Sequence, residues 1–151
     1  MKKLLLSLAL AAVSTFGHAQ TPPGLSAVLA VHKVVTDSSG DKYLPTDQIV
    51  LDDVVQYTIE YTNTTKTNLS NIQIAFKIPK DMTFVATGLF PKPQRAQNQQ
   101  AKWLPYPLMK NNELVGPSEY VAIQWVIPNI EPGKKFKISA RAKLSVAPTK
   151  P

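Results

Sequence analysis

Strict alternation of apolar and polar residues is the feature of this sequence that most limits its fold. In residues 54–65, VVQYTIEYTNTT, an apolar or aromatic side chain occupies every second position, at Val55, Tyr57, Ile59 and Tyr61. A period of two places alternate side chains on opposite faces of a β-strand. The run then ends in Asn and Thr, which favour turns. The stretch therefore predicts a strand with one buried and one solvated face.

The same pattern recurs along the chain, so we predict an all-β protein. Strands are predicted at residues 25–36, 49–62, 70–79, 82–87, 119–128 and 135–146, with a brief strand at 101–104. Most of them have one apolar face, which requires two sheets packed face to face. The predicted fold is an antiparallel β-sandwich of immunoglobulin type with about six to eight strands, and Trp125 lies on a buried face.

Three segments within or between these strands have a distinct composition. Residues 25–36, LSAVLAVHKVVT, are apolar at odd and even positions, which predicts a strand covered on both faces or one that switches faces at a bulge. Residues 37–47, DSSGDKYLPTD, are rich in turn formers and predict a loop. Residues 131–134, EPGK, predict a type II turn, because Pro132 presets one φ and Gly133 accepts a positive φ.

The N-terminus has the three parts of a secretory signal peptide. Lys2 and Lys3 precede an apolar run of ten residues, LLLSLALAAV, and the small residues Gly17 and Ala19 precede the predicted cleavage before Gln20. A transmembrane span would need roughly 20 apolar residues. We therefore predict a bacterial protein of the periplasm or cell surface. Its parts are a signal peptide at 1–19, a short lead at 20–24, one immunoglobulin-like domain at 25–146 and a tail at 147–151.

Composition argues against several classes of function. The chain has no Cys, which rules out disulfides, thiolate catalysis and zinc–thiolate sites. Without the two lysines of the signal peptide, the 17 basic residues become 15 against 10 acidic ones, and this net charge of +5 is too diffuse to predict nucleic-acid binding. Only His32 remains after cleavage, and Glu60, Glu113 and Glu119 form no recognisable catalytic pair. We predict a protein that is not an enzyme and uses no cofactor or metal.

Three segments of the chain are similar to one known family. VVQYTIEYTNTT (54–65), LSNIQIAFKIPKDMTFV (69–85) and QWVIPNIEPGKKFKISARAKL (124–144) resemble the conserved repeat called domain of unknown function eleven, over about residues 50–146. The resemblance implies an immunoglobulin-like module of bacterial envelope proteins, usually in tandem, with no enzymatic residues to carry over. This chain has one copy, and Asp81 stands where the family usually has Gly, in a turn that Asp tolerates.

A row of cations on the last strand is the first candidate binding site. Lys135, Lys137, Arg141 and Lys143 share the outward parity of residues 135–146. They predict either a contact stripe for an anionic glycan, a lipid head group or an acidic partner, or lysines that protect an exposed sheet edge.

The Pro-rich excursion at 88–118, where periodicity is lost, is the second candidate. It contains Phe90, Trp103, Tyr106 and Met109. These side chains predict either anchors for a partner or a cap on the open end of the core, and we take Trp103 and Tyr106 as candidate binding residues.

A cluster of aspartates raises the question of a calcium site. Asp37, Asp41, Asp47, Asp52 and Asp53 fall within 17 residues, although their spacing matches no calcium-loop motif. A calcium site and solvated turn residues are both compatible with this pattern.

These observations predict a non-catalytic exported envelope protein that acts as a structural component or interaction module. Its partner would be another envelope protein or a surface polymer, with no nucleic acid and no transmembrane span in the mature chain. Two alternatives stay open. One is a module that binds an anionic envelope glycan through Lys137 and Arg141. The other is an accessory factor of a secretion or pilus system that recognises strands by edge addition.

Overall fold

The structure, a computed structural model, describes residues 4–5 and 21–145. In these residues the strands are β1 Leu4–Leu5, β2 Leu25–Asp37, β3 Gly40–Leu44, β4 Gln48–Ile49, β5 Val54–Asn63, β6 Leu69–Lys77, β7 Met82–Thr87, β8 Arg95–Asn98, β9 Trp103–Pro105, β10 Met109–Lys110, β11 Glu113–Leu114, β12 Tyr120–Ile130 and β13 Lys135–Leu144. A short 3-10 turn occupies Pro117–Glu119. The predicted signal peptide, apart from β1, and the predicted tail lie outside the described residues.

Two antiparallel sheets contain most of these strands. The first sheet has five strands in the order β3-β2-β5-β13-β7, and the second has four in the order β6-β12-β8-β9. Aromatic contacts join the two layers. Tyr57 on β5 lies 5.2 Å from Phe76 on β6, and Phe84 on β7 lies 4.7 Å from Tyr120 on β12, measured between ring centroids. The predicted all-β antiparallel sandwich is therefore confirmed.

The interior is built from the alternating faces that the sequence predicts. On β5 the side chains of Val55, Tyr57, Ile59 and Tyr61 are buried, whereas the residues between them are half-buried. Trp125 is only 1% exposed, which confirms its predicted place in the core. Full burial of one such large apolar side chain contributes roughly 1.5–3 kcal/mol. The same burial raises the pKa of Tyr57 and of Tyr61 to about 12.

A buried asparagine ends β5 and joins two loops. The Asn63 side-chain amide donates to the carbonyl oxygens of Thr67 at 2.9 Å and Ile130 at 2.8 Å. Its Oδ1 accepts from the backbone N–H and the hydroxyl of Thr65, at 2.9 and 2.7 Å. Buried polar atoms need such partners, because leaving them unpaired is costly. This network gives a physical reason for Asn at the end of the Tyr-rich strand.

Within the described residues the two sheets hold nine strands, more than the sequence predicts. β3 forms in a segment predicted to be a loop, because it pairs with the end of β2 from Lys33 to Asp37. β8 forms within the Pro-rich excursion, where it lies between β12 and β9 and buries Ala96 completely. The prediction that residues 88–118 lack the strand pattern is wrong at β8. Its ladder hydrogen bonds are made by the backbone and do not depend on the polar composition of its side chains.

β2 differs from its prediction in another way. Its register with β5 runs without a shift from Leu25 to Val34. Val28, in the middle of this stretch, is 66% exposed. The prediction of a strand covered on both faces, or bulged, is therefore wrong at its centre, because Val28 is on the outer face of the sandwich.

Turn chemistry follows the sequence closely. Gly133 has φ +73°, and the Lys134 N–H donates to the Glu131 carbonyl at 3.1 Å, as the predicted turn requires. Asp81 has φ +66°, so it adopts the left-handed conformation expected of Asp in place of Gly.

Candidate functional site

The predicted row of cations lies on the outer face of the five-stranded sheet. Lys135, Lys137, Arg141 and Lys143 all project from β13 on the side away from its buried residues. β13 pairs with β5 along most of its length and with β7 from Ala140 onward. The hypothesis that lysines protect an exposed sheet edge therefore fits Lys135 and Lys137, because among the described strands this part of β13 pairs only with β5. The hypothesis does not explain Arg141 or Lys143, because there β13 pairs with β5 on one side and with β7 on the other.

Carboxylates accompany every cation of this row. Glu60 accepts from Lys135 at 3.1 Å and lies 3.5 Å from the Lys137 ammonium. Hydrogen bonding from Lys135 is the main reason why the pKa of Glu60 is lowered. Lys143 lies 3.8 Å from a carboxylate oxygen of Asp52. Such exposed pairs contribute little to stability, but they reduce the positive field that a simple anion-binding stripe needs.

Arg141 is the most engaged of the four cations. Its Nη2 donates to Asp41 at 2.7 Å and to the Tyr43 hydroxyl at 3.1 Å, and its Nε donates to Gln56 at 2.9 Å. The guanidinium carbon lies 6.0 Å from the centre of the Tyr43 ring. Hydrogen bonds from Thr36 and then from Arg141 lower the pKa of Asp41. An added anion would therefore compete with Asp41 for the same guanidinium.

Four of the five aspartates that raised the calcium question, all except Asp47, have separate cationic partners. Asp37 pairs with Lys42, Asp41 with Arg141, Asp52 with Lys143, and Asp53 with Lys33 at 2.7 Å. In residues 21–145 no three His, Cys, Asp or Glu side chains converge as metal ligands would.

A groove lies beside Arg141 on this face. We call it the Arg141 groove, and its volume is about 440 Å³. It is lined by Tyr43, Gln56, Ala86, Thr87, Gly88, Leu89, Ser139 and Arg141. Its floor belongs to β5 and β13, and the chain that follows β7 forms its rim.

Gly88 holds this rim close to the floor. Its N–H donates to the Ser139 carbonyl at 3.0 Å. A Cβ at this position would lie 2.5 Å from the Ser139 Oγ, a distance that real side chains do not reach. A larger residue at this position would require the Ser139 hydroxyl to rotate away.

Two large apolar side chains follow on the same rim. Leu89 and Phe90 are each 81% exposed, and we call them the Leu89–Phe90 tip. Both ends of the tip are anchored: Gly88 bonds to Ser139, and the Pro91 carbonyl accepts from Trp125 Nε1 at 3.0 Å. The tip is thus a surface feature fixed to the core of the protein, and fixed contact residues lose less entropy on binding.

The two aromatic residues predicted to bind a partner have other surroundings. Tyr106 is half-buried and contacts Phe84 and Tyr120 at 6.4 and 6.2 Å between ring centroids, so it caps the core. Trp103 is half-buried in β9, and its carbonyl accepts from Arg95 at 3.0 Å. Phe90, from the same Pro-rich segment, differs from both because it is 81% exposed in the folded chain.

His32, the histidine within the predicted domain, packs against an aromatic ring. It is half-buried and lies edge-on to Tyr43, with 6.2 Å between the ring centroids.

No helix among the described residues is long and apolar enough to cross a membrane.

Comparison of the sequence with models of known protein families found no match, and comparison with curated proteins found none.

Proposed function

We propose that this chain is a non-catalytic protein exported to the periplasm or surface of a bacterium, where it binds another envelope protein through the Leu89–Phe90 tip. The signal-like N-terminus supports export. We further propose that the sandwich is of immunoglobulin type and belongs with the conserved repeat that its sequence resembles. The Tyr-rich strand ending in Asn63 and the turn at Asp81 support this assignment, because both features of the repeat have a structural role here.

One observation carries the proposed interaction. Two adjacent large apolar side chains, Leu89 and Phe90, are exposed to the same high degree while the backbone on either side is hydrogen-bonded to the sandwich. Exposing such a pair is unfavourable in water. Phe is enriched at interfaces, and Arg141 and Tyr43 in the adjoining groove belong to the residue types that most often dominate binding energy.

Site-specific cross-linking in the native envelope tests this proposal. A photoreactive phenylalanine analogue is placed at Phe90, and for comparison at Leu114, which is 68% exposed on the β10–β11 hairpin. We expect a discrete protein adduct from position 90 and none from position 114. Adding Leu89→Ser should abolish the adduct without changing the circular dichroism spectrum. Equal adducts at both positions, or an adduct unaffected by Leu89→Ser, would contradict the proposal.

The second candidate function is binding of an anionic envelope glycan in the Arg141 groove. The groove offers hydroxyl, amide and guanidinium groups beside an aromatic ring, a combination suited to a polar ligand. In this case charge reversal at Lys137 and Arg141 and added salt should both weaken binding. Binding that salt does not affect would exclude the electrostatic mechanism. The Asp41–Arg141 pair makes this candidate the weaker one, because it already neutralises the guanidinium.

A further inference from the structure

The free edge of β2 is an unusual surface of this protein. β3 covers β2 only from Lys33 to Asp37. From Leu25 to His32, β2 pairs with β5 on one side, and no strand within residues 21–145 pairs with it on the other. Unpaired backbone N–H and C=O groups on such an edge are a template for another strand.

Natural proteins usually protect strand edges with charge, proline, bulges or distorted backbone. Five other edge segments of the two main sheets each carry such a feature. They are Asp41 and Lys42 in β3, Asn71 with φ +53° in β6, the register shift opposite Arg141 and Ala142 in β7, Pro105 in β9, and Lys135 and Lys137 in β13. The stretch Leu25–Val31 has no charge, no Pro and no Gly, and its register is regular. It is therefore suited to pairing.

We propose that this edge pairs with the same edge of a second copy of the chain, antiparallel, about a two-fold axis at Val28. In this register Val28 faces Val28 of the second copy, and Leu25 faces Val31. Opposed residues then point to the same side of the sheet, as strand pairing requires. The two five-stranded sheets become one continuous sheet of ten strands.

The length of the edge accommodates the same stretch of a second copy. β2 begins at Leu25, after a turn in which the Leu25 N–H donates to the Pro22 carbonyl at 3.2 Å. β3 begins to cover β2 at Lys33. A second copy paired about Val28 would cover Leu25–Val31 of the first copy. The turn before Leu25 of the second copy would then lie next to Lys33 of the first copy, where pairing with β3 begins.

The side chains of this edge can pack against the same side chains of a second copy. On the outer face Val28, 66% exposed, would be covered by its symmetry mate, with Ser26 opposite Ala30. The absence of charge from Leu25 to Val31 means that no like charges meet across the axis, whereas self-pairing at Lys135 and Lys137 would bring cations together.

This inference is independent of the proposed binding through the Leu89–Phe90 tip. β5 and β13 separate β2 from β7, which leads into the tip, so dimerisation leaves the tip open. Loss of either property should not affect the other.

Molar-mass measurement across a concentration series, on protein expressed from the full chain, tests the dimer. We expect a concentration-dependent dimer for the unaltered protein and a monomer for Val28→Lys, which places two cations at the axis. Val28 lies opposite Glu60, so the new lysine has an acidic neighbour and the fold is retained. Leu114→Lys, at a site 68% exposed, should remain dimeric.

Cysteine substitution tests the register, because the chain has no native Cys. Under mild oxidation Val28→Cys should form an intermolecular disulfide, since opposed residues of antiparallel strands are about 4.5–5.5 Å apart at Cα. Ala30→Cys should not, because its symmetry mate lies four residues along the strand, about 13 Å away. Equal cross-linking of both variants would overturn the register.

Other occupants of the edge give different results. A monomer at every concentration would overturn the proposal, whether the edge is covered by another part of the chain or by a foreign strand. A dimer that persists in Val28→Lys, or an open-ended polymer, would overturn it as well.

Discussion

The two faces of the central strands β5 and β13 show how differently this chain treats its interior and its outer surface. On the inner face, Val55 and Ala142 are fully buried and Ile138 is 2% exposed. On the outer face, Glu60 and Arg141 remain partly exposed and bond to neighbours on other strands. The strands are the same, and side-chain parity alone separates the faces.

We infer from this comparison that burial, more than the number of polar contacts, determines how much each side chain contributes to stability. Arg141 makes three side-chain hydrogen bonds, but water competes for each of them. Inner-face side chains gain free energy simply by leaving water. We therefore expect interior substitutions to cost several times more than outer-face substitutions, and three variants test this order.

Trp125→Ala should have the largest effect. Removal of this buried indole leaves a cavity between the sheets and an unpaired Pro91 carbonyl. We expect a loss of about 3–5 kcal/mol in the free energy of unfolding, measured by urea denaturation. Trp103→Ala, at the half-buried second tryptophan, is the matched control and should cost much less. A loss below about 1 kcal/mol at Trp125 would contradict its role in the core.

Asn63→Ala should rank second. The variant removes the donor to the buried Ile130 carbonyl and the hydrogen bond to the Thr67 carbonyl, which still accepts from the Thr65 hydroxyl at 2.9 Å. We expect a loss of about 1–3 kcal/mol, because an unsatisfied buried group costs roughly this much. The neighbouring Thr64→Ala, which removes an exposed hydroxyl bonded to the Gly24 carbonyl at 3.1 Å, should cost less than about 1 kcal/mol. Equal losses in the two variants would show that burial does not distinguish them.

Arg141→Ala should have the smallest effect. Its partners Asp41, Tyr43 and Gln56 are all accessible to water after the substitution. We expect a loss below about 1 kcal/mol in low salt, and a smaller loss in high salt, since exposed ion pairs are weak and screened. A loss as large as that of Asn63→Ala would mean that the outer face contributes to stability as the interior does.

Sequence reasoning predicted the fold well because the interior repeats a simple pattern. Period-two alternation at 54–65, 70–79 and 135–146 is a local property, and it identifies the buried face of each strand. Reasoning from sequence missed β3 because its turn-rich composition indicates a loop, although it forms a hairpin with the preceding strand β2. It missed β8 because that strand pairs with β12, which is distant in the chain, and composition alone contains no sign of that partner.

The candidate sites were predicted only in part. The outward parity of Lys135, Lys137, Arg141 and Lys143 follows from the sequence, but their pairing with Asp41, Asp52 and Glu60 does not. Asp41 and Arg141 are 100 residues apart in sequence, and the order of strands in the sheet brings them together. Phe90 and Tyr106 are similar aromatic residues of one Pro-rich segment, and one is exposed whereas the other packs on the core.

The sequence by itself determined that this chain is an all-β sandwich with Trp125 in its core, because alternation and turn residues act within a few positions of one another. Tertiary structure alone decided which strand lies at an edge, which cation is neutralised and which aromatic ring reaches water. Those properties depend on neighbours from remote parts of the chain. The free edge at Leu25–His32 and the Leu89–Phe90 tip belong to this second class, because exposure is a property of the packed molecule.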